Sequence, residues 1–430
     1  VTLGSAGTTL LVNGLETITG GTGSELIYLG SGGNTLLASG IDILIGGVGT
    51  DVVTLGTAGN TVLLRGIETL TGGVGTDVLT LGNTGNTVTV SLFETVGGGT
   101  GVDVINIGTA GSTLAVCAVE SLTGGVGTDV ITLCPNGNTI LVAAVETLIG
   151  STATDFVTLG TAGNTILVSA LETLTGSVGT DVVTLGSAGS TMLATGLETL
   201  TGGAGTDLVF IGLTGSTLLV SGIETLVAGS NIDTANTLVD IVTLGTAGNT
   251  ILLRGLETLI GGAGTDVVTI GDTGTTMLMS NVETLSGGTG IDVISLGTAG
   301  NTLVLVGLLE TLTGGVGTDV VTLGSAGTTL LVNGLETITG GTGSELVFLG
   351  SGGSTVSVSG IDILIGGVGT DVVTLGTAGN TVLLRGIETL TGGVGTDVLT
   401  LGNTSNTATV SLFETIIGGT ASDAITIGTT

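Results

Sequence analysis

The chain is a run of near-identical units, and their fixed period constrains everything it can fold into. One unit runs from Asp51 to Thr76, DVVTLGTAGNTVLLRGIETLTGGVGT, and others start at Asp77, Asp103, Asp129, Asp155, Asp181 and Asp207. A longer unit follows, with a loop insertion at 230–239, and the register resumes at Asp240, Asp266 and Asp292. One extra residue near Leu308 and Leu309 moves the next start to Asp319. A second, longer period is also present: the sequence from Val321 repeats the sequence from Val1. The text begins and ends inside a unit, so residues 1–430 read as one continuous array cut from a longer protein.

Each unit holds three short runs, DVVTLG, NTVLLRG and IETLTGG, punctuated by glycine-rich turns. Val53 and Leu55 alternate with Thr54, and Val62 and Leu64 alternate with Leu63 and Arg65, a period of two. Ile67 and Leu70 are three apart, which places a bend between them. No run is long enough to fold alone, so the units must stack. The expectation is an all-β fold, a parallel β-solenoid of the β-helix or β-roll kind, with 26-residue coils of about three short strands. Stacked coils lie about 4.8 Å apart. Equivalent residues then form ladders: Thr61 with Thr9, Thr87, Thr139 and Thr381, and Asn60 with Asn34, Asn86, Asn138, Asn164 and Asn249.

Composition narrows the function classes. The chain has 86 glycines, no histidine, no tryptophan and one proline, yet is 41% hydrophobic. That describes a narrow core of small branched side chains and not a disordered chain. A formal net charge of −31, with only three arginines, excludes nucleic-acid binding through phosphate neutralisation and favours cations. No apolar run reaches the roughly 18 residues of a membrane span. Cys117 and Cys134 match no metal or disulfide spacing. Without histidine, and without a nucleophile in a distinctive motif, the chain reads as non-enzymatic.

Thirty-two of the 34 acids fall at two positions of the unit; Asp233 and Asp272 are the exceptions. One position follows the GGxGx turn and carries Asp, with Glu25 and Glu345 as substitutes. The other lies in the third run and carries Glu, with Asp42 and Asp362 as substitutes. With one unit per coil, each position would stack like charges about 5 Å apart, repelling by roughly 3 kcal/mol per pair. A divalent cation would relieve this, and calcium takes carboxylate and carbonyl oxygens in flexible geometry. Turn capping by a short polar side chain is the alternative for the Asp position. The Glu position is open between a second cation row and a solvated face.

The segment GGVGTDVVT, Gly46 to Thr54, recurs from Gly72 and Gly124 with small changes, and as GGAGTDVVT from Gly261. It resembles the G-G-x-G-x-D-x-hydrophobic-x nonapeptide of RTX (haemolysin-type) calcium-binding proteins, as in giant bacterial extracellular repeat proteins. In that family, turn carbonyls and the motif's aspartate bind calcium between coils of a parallel β-roll. The resemblance implies Ca2+ as ligand, with Asp51, Asp77, Asp103, Asp129, Asp155, Asp181, Asp207, Asp240, Asp266, Asp292, Asp319, Asp371, Asp397 and Asp423 as metal residues. The turn glycines that go with them are Gly46, Gly47 and Gly49; Gly72, Gly73 and Gly75; Gly124, Gly125 and Gly127; and Gly261, Gly262 and Gly264. The motif occurs once per unit where the family repeats it in tandem, which favours a three-run coil over the family's two-strand roll. Some copies are degenerate, as at GSTATD before Asp155.

Val52 and Leu63 should face outward, with Val104, Val130, Phe156, Val182 and Leu208 repeating the first of them. Apolar stripes of that extent mark contact surfaces, so self-association into a filament, bundle or sheet is expected. The leading functional expectation is a secreted, calcium-stabilised structural rod at the cell surface: a bacterial surface filament, a surface layer or an adhesin stalk. An ice-binding solenoid, from the Thr69 and Thr71 pair, and the calcium-binding repeat region of a secreted enzyme are the alternatives.

Overall fold

The computed structural model describes residues 1–212, 215–228, 239–271, 274–324 and 327–429. The chain divides into two compact units, Val1–Gly212 and Leu213–Thr430. Each contains 24 short strands among its described residues, from Thr9–Val12 to Leu208–Ile211 in the first and from Thr217–Ser221 to Ala424–Ile427 in the second. Every pairing within them is parallel, and each strand pairs with the strands two before and two after it. Each unit is therefore a β-solenoid of two parallel sheets. Among the described residues no helix is long and apolar enough to cross a membrane.

The coil is shorter than the sequence unit and holds two strands, not three. Val52 pairs with Thr69 of the same sequence unit. Thr61 pairs with Val78 of the next, but in the opposite sheet. Both pairs share one sequence interval, the 17 that also separates the hydrogen-bonded Asn34 and Asp51. One coil thus contains two strands, and the three runs of a sequence unit span one and a half coils. Two sequence units make three coils, so successive units start on opposite sheets. The reason is local. The runs Val52–Leu55, Thr61–Arg65, Thr69–Thr71 and Val78–Leu81 start at nearly equal intervals, so each is one interchangeable half-coil.

The inward positions are those the alternation indicates. Val53, Leu55, Val62, Leu64, Ile67 and Leu70 are all buried, and the equivalents repeat along both units. Each core is a layer of Val, Ile and Leu between two sheets about 10 Å apart, thin enough to need no large aromatic. The outward residues are half-covered: Val52, Val104, Val130, Val182, Leu208 and Leu63 are intermediate, and Phe156 is exposed.

The turns are of unequal length. Gly56–Asn60 and Gly72–Asp77 are long, whereas only Gly66, Ile67 and Glu68 link the second run to the third. This short turn requires a left-handed residue at its first position, with φ near 62° at Gly66. Leu92, Ala118, Ala144, Ala170, Asn281 and Leu412 occupy the same conformation elsewhere. The extra residue at Leu308 is absorbed in this turn: Leu308 is exposed while Leu309 enters the core. The insertion at 230–239, apart from Val239, and the two exceptional acids Asp233 and Asp272 lie outside the described residues.

The cysteine expectation is corrected as well. Cys117 and Cys134 form a disulfide. Their sequence separation of 17 matches no small-domain pattern, but it is one coil, so they stack directly.

Candidate functional site

The acids sit at the edges where strands begin. Asn34, Asp51, Glu68, Asn86 and Asp103 each directly precede a strand of one sheet. Glu25, Asp42, Asn60, Asp77 and Glu94 do the same for the other sheet. The Asn ladder, the Asp position and the Glu position of the sequence are therefore one column, running Asn–Asp–Glu along each of two edges. Equivalent aspartates such as Asp51 and Asp103 are three coils apart, about 14 Å, in place of about 5 Å. An asparagine or other neutral residue separates successive Asp–Glu pairs, so each acid keeps one like-charged neighbour a single coil away in place of two.

Within the column each aspartate is a brace. Asp51 is completely buried. The Asn34 backbone N–H and its side-chain amide both donate to Asp51 Oδ1 at 2.8 Å. The Gly47 N–H donates to Oδ2 at 2.9 Å. The Asp51 N–H in turn donates to Glu68 Oε2 at 2.8 Å. One carboxylate thus ties its own turn to the coil before it, and its amide ties it to the coil after. Asp77, Asp103 and Asp397 repeat the arrangement with Asn60, Asn86 and Asn380. Where the neutral position is Ser112 or Ser190, the backbone N–H meets Oδ1 of Asp129 or Asp207.

All the aspartates expected as metal residues share this placement. Asp155, Asp181, Asp266, Asp292, Asp319 and Asp371 are fully buried, Asp240 nearly so, and only Asp423 is partly exposed. Their oxygens meet N–H donors, with Asp240 Oδ2 the exception, and this is the environment of a bound anion. The turn glycines serve close stacking. A Cβ at Gly46 or Gly72 would strike the Gly66 or Leu92 carbonyl of the neighbouring coil. One at Gly124 or Gly261 would strike that of Ala144 or Asn281. Gly47, Gly73, Gly125 and Gly262 abut the carbonyls of Gly30, Gly56, Gly108 and Gly245, and Gly49, Gly75, Gly127 and Gly264 abut backbone of the preceding turn. Among the described residues no three His, Cys, Asp or Glu side chains gather as a metal-holding group.

The glutamates differ. Glu68 is exposed and lines an open recess of about 860 Å³ with Thr50, Gly66, Asn86 and Thr87. The recess forms because the short turn carrying Glu68 is stacked between two long ones. Smaller recesses recur at Glu94 with Ser112 and at Glu283 with Asn301.

Burial raises the pKa of Asp292 above the ordinary carboxylate value, and the neighbouring Glu310 charge adds to it, against the N–H donors Gly288 and Thr275. Burial and Glu257 raise Asp240 in the same way, against the Ser216 N–H. The Asn406 side-chain amide lowers Asp423. In two sequence units the acid lengths are exchanged: Glu25 pairs with Asp42, and Glu345 with Asp362. Burial raises the pKa of Glu345, and the Asp362 carboxyl beside it raises it further.

Compared with known proteins, the chain matches no family model, no curated protein and no solved structure. The likeness to the RTX nonapeptide therefore rests on the motif itself. Sequence reasoning missed the asparagines as partners of the aspartates, and it missed the cysteine pair. The signal for both was the interval of 17, which links Asn34 to Asp51, Asp51 to Glu68 and Cys117 to Cys134.

Proposed function

We propose that this chain is a non-catalytic structural protein of the cell exterior, of the kind that builds a surface filament, a surface layer or an adhesin stalk. The observation that carries the reading is the brace: unit after unit, the same Asn–Asp–Glu hydrogen bonds join one coil to the next, committing the acids to cohesion. A disulfide between adjacent coils suits an oxidising compartment. The half-covered Val, Leu and Phe residues on the sheet faces supply surface for self-association.

Calcium belongs to this proposal as the counter-ion of the corner carboxylates. A net charge of −31 makes cation uptake favourable, and the exposed glutamates beside backbone-lined recesses are the accessible carboxylates. Circular dichroism melts in calcium and in chelator test this part: equal midpoints would remove calcium from the proposal. Antibody labelling and electron microscopy of the source cells test the whole. Label on surface fibres or a surface layer is expected; label confined to the cytoplasm would overturn the reading.

A further inference from the structure

Aromatic residues occupy the third position of the first strand in only three sequence units, at Tyr28, Phe210 and Phe348. The chain's three arginines, Arg65, Arg254 and Arg385, all occupy the last position of the second run, and each lies in the unit after an aromatic one. Within the first solenoid unit the pairings place Leu11, Tyr28, Ile45 and Arg65 side by side in successive coils of one sheet. Within the second they place Leu331, Phe348, Ile365 and Arg385 likewise. Each set is an outward column with its cation at one end.

Leu11, Tyr28 and Leu331 are exposed, as are Arg65 and Arg385. The arginine stem lies flat across the next coil: a Cβ on Gly82 would come within 2.7 Å of Arg65 Cδ, and one on Gly402 within 2.8 Å of Arg385 Cδ. Arg385 Nε donates to Thr404 Oγ1 at 3.2 Å, which fixes the guanidinium over the turn that follows the strand Val398–Leu401. The exposed Glu68 lines the same recess as Tyr28, Ile45 and Arg65, so the cation end of the column borders one carboxylate. A cation at the end of the column, with an aromatic ring two coils away, places a cation–π donor and acceptor in one column.

We infer that this column is a self-complementary contact between two copies of the chain, packed face to face with antiparallel axes. The inference rests on the self-association reading above and specifies its surface. A two-fold axis in the contact plane, parallel to the strand Ile43–Ile45, reverses the column onto itself. Arg65 of one copy then covers Tyr28 of the other, Tyr28 meets the other copy's Arg65, and Ile45 meets its own counterpart, as an isologous interface requires. Arg385, Phe348 and Ile365 repeat the geometry. Two copies fit this contact because each column carries both of its halves, the arginine and the aromatic ring, on either side of Ile45 or Ile365. Their residual long-range repulsion is screened by salt, so association should strengthen as salt is added.

The test is sedimentation of the full chain at several concentrations and salt levels, with Arg65→Ala/Arg385→Ala and Tyr28→Ala/Phe348→Ala variants checked for folding by circular dichroism. Wild type should self-associate, more so in salt, and each variant should weaken association about 10-fold or more. Ile45→Cys should cross-link to its own copy on oxidation, while Leu11→Cys should not. A wild type that stays monomeric at high concentration sinks self-association altogether. Association that is unchanged in both variants, or an Ile45→Cys that never cross-links, sinks this surface and leaves self-association standing.

Discussion

Cys134 occupies the place that glycine holds in neighbouring units, and its partner Cys117 occupies the place of the side chain that lies across that glycine. At Gly56 an added Cβ would sit 2.5 Å from Ser39 Cβ, and at Gly186 it would sit 2.9 Å from Ser169 Cβ. A side chain is therefore tolerated at position 134 because it is bonded to the one it stacks on. The expectation is that Cys117→Ser alone destabilises twice over, by losing a cross-link worth about 3 kcal/mol for a loop of this size and by leaving a crowded Cβ. Adding Cys134→Gly should recover part of that loss by restoring the usual Ser-over-Gly stack. Urea unfolding of the two variants measures it; a double variant no more stable than the single one would count against the crowding.

This pair also shows what was legible in the sequence. The strands, the inward residues Val53, Leu55, Val62 and Leu64, and the bend between Ile67 and Leu70, which falls at Glu68, followed from alternation and turn chemistry, because burial acts residue by residue. The coil did not follow. The sequence period is equally consistent with one coil of three strands and with one and a half coils of two. Only contacts between coils separate these, and they leave their trace at the length of a coil, not at the length of a repeat. That trace was the acid columns themselves: Asp51 to Glu68, and Asn60 to Asp77, share the interval of the two cysteines. Reading the repeat as the coil also put equivalent aspartates in adjacent coils and made their repulsion look larger than it is.

The brace predicts an asymmetry between the two acids of a unit. Asp77 is fully buried and takes three N–H donors, from Asn60 twice and from Gly73. Asp77→Ala leaves them unsatisfied in the interior and should cost roughly 3–5 kcal/mol. Glu94 is exposed and accepts the Asp77 N–H, so Glu94→Ala should cost about 1 kcal/mol. Hydrogen exchange at the Asn60 and Gly73 amides localises the damage. The Asp77→Ala loss should be the same in calcium and in chelator, since its source is hydrogen bonding inside the protein. A loss seen only in calcium would mean that Asp77 binds the ion.

The short turn predicts a gain. Ala118, Ala144 and Ala170 hold φ values of 49°, 51° and 52°, where most units place glycine. A left-handed alanine carries a steric cost of about 1–2 kcal/mol that glycine lacks, offset in part by glycine's greater freedom when unfolded. Ala144→Gly should therefore stabilise by about 0.5–1 kcal/mol, and Gly66→Ala, with φ at 62°, should destabilise by a similar amount. Thermal melts of the two variants should move in opposite directions.

Glu345 predicts a pH dependence of definite sign. It is 1% exposed, its carboxylate makes no full hydrogen bond, with only the Gly341 N–H and its own N–H close enough to oppose the shift, and the Asp362 carboxylate lies in the next coil. Burial, and then Asp362, raise its pKa above the unfolded value. Below the unfolded pKa the group is protonated in both states and costs nothing. As pH rises through the raised folded pKa it must ionise inside the protein, so the folded state loses stability relative to the unfolded one. Glu345→Gln keeps the shape and removes the charge. The variant should melt higher than wild type at neutral pH, and the difference should shrink as pH falls toward the ordinary glutamate value. Parallel melting curves across that range would mean that Glu345 titrates alike in the folded and unfolded chain. A wild type that is the more stable at neutral pH would mean that its charge is compensated by a partner, the first place to look for a bound cation.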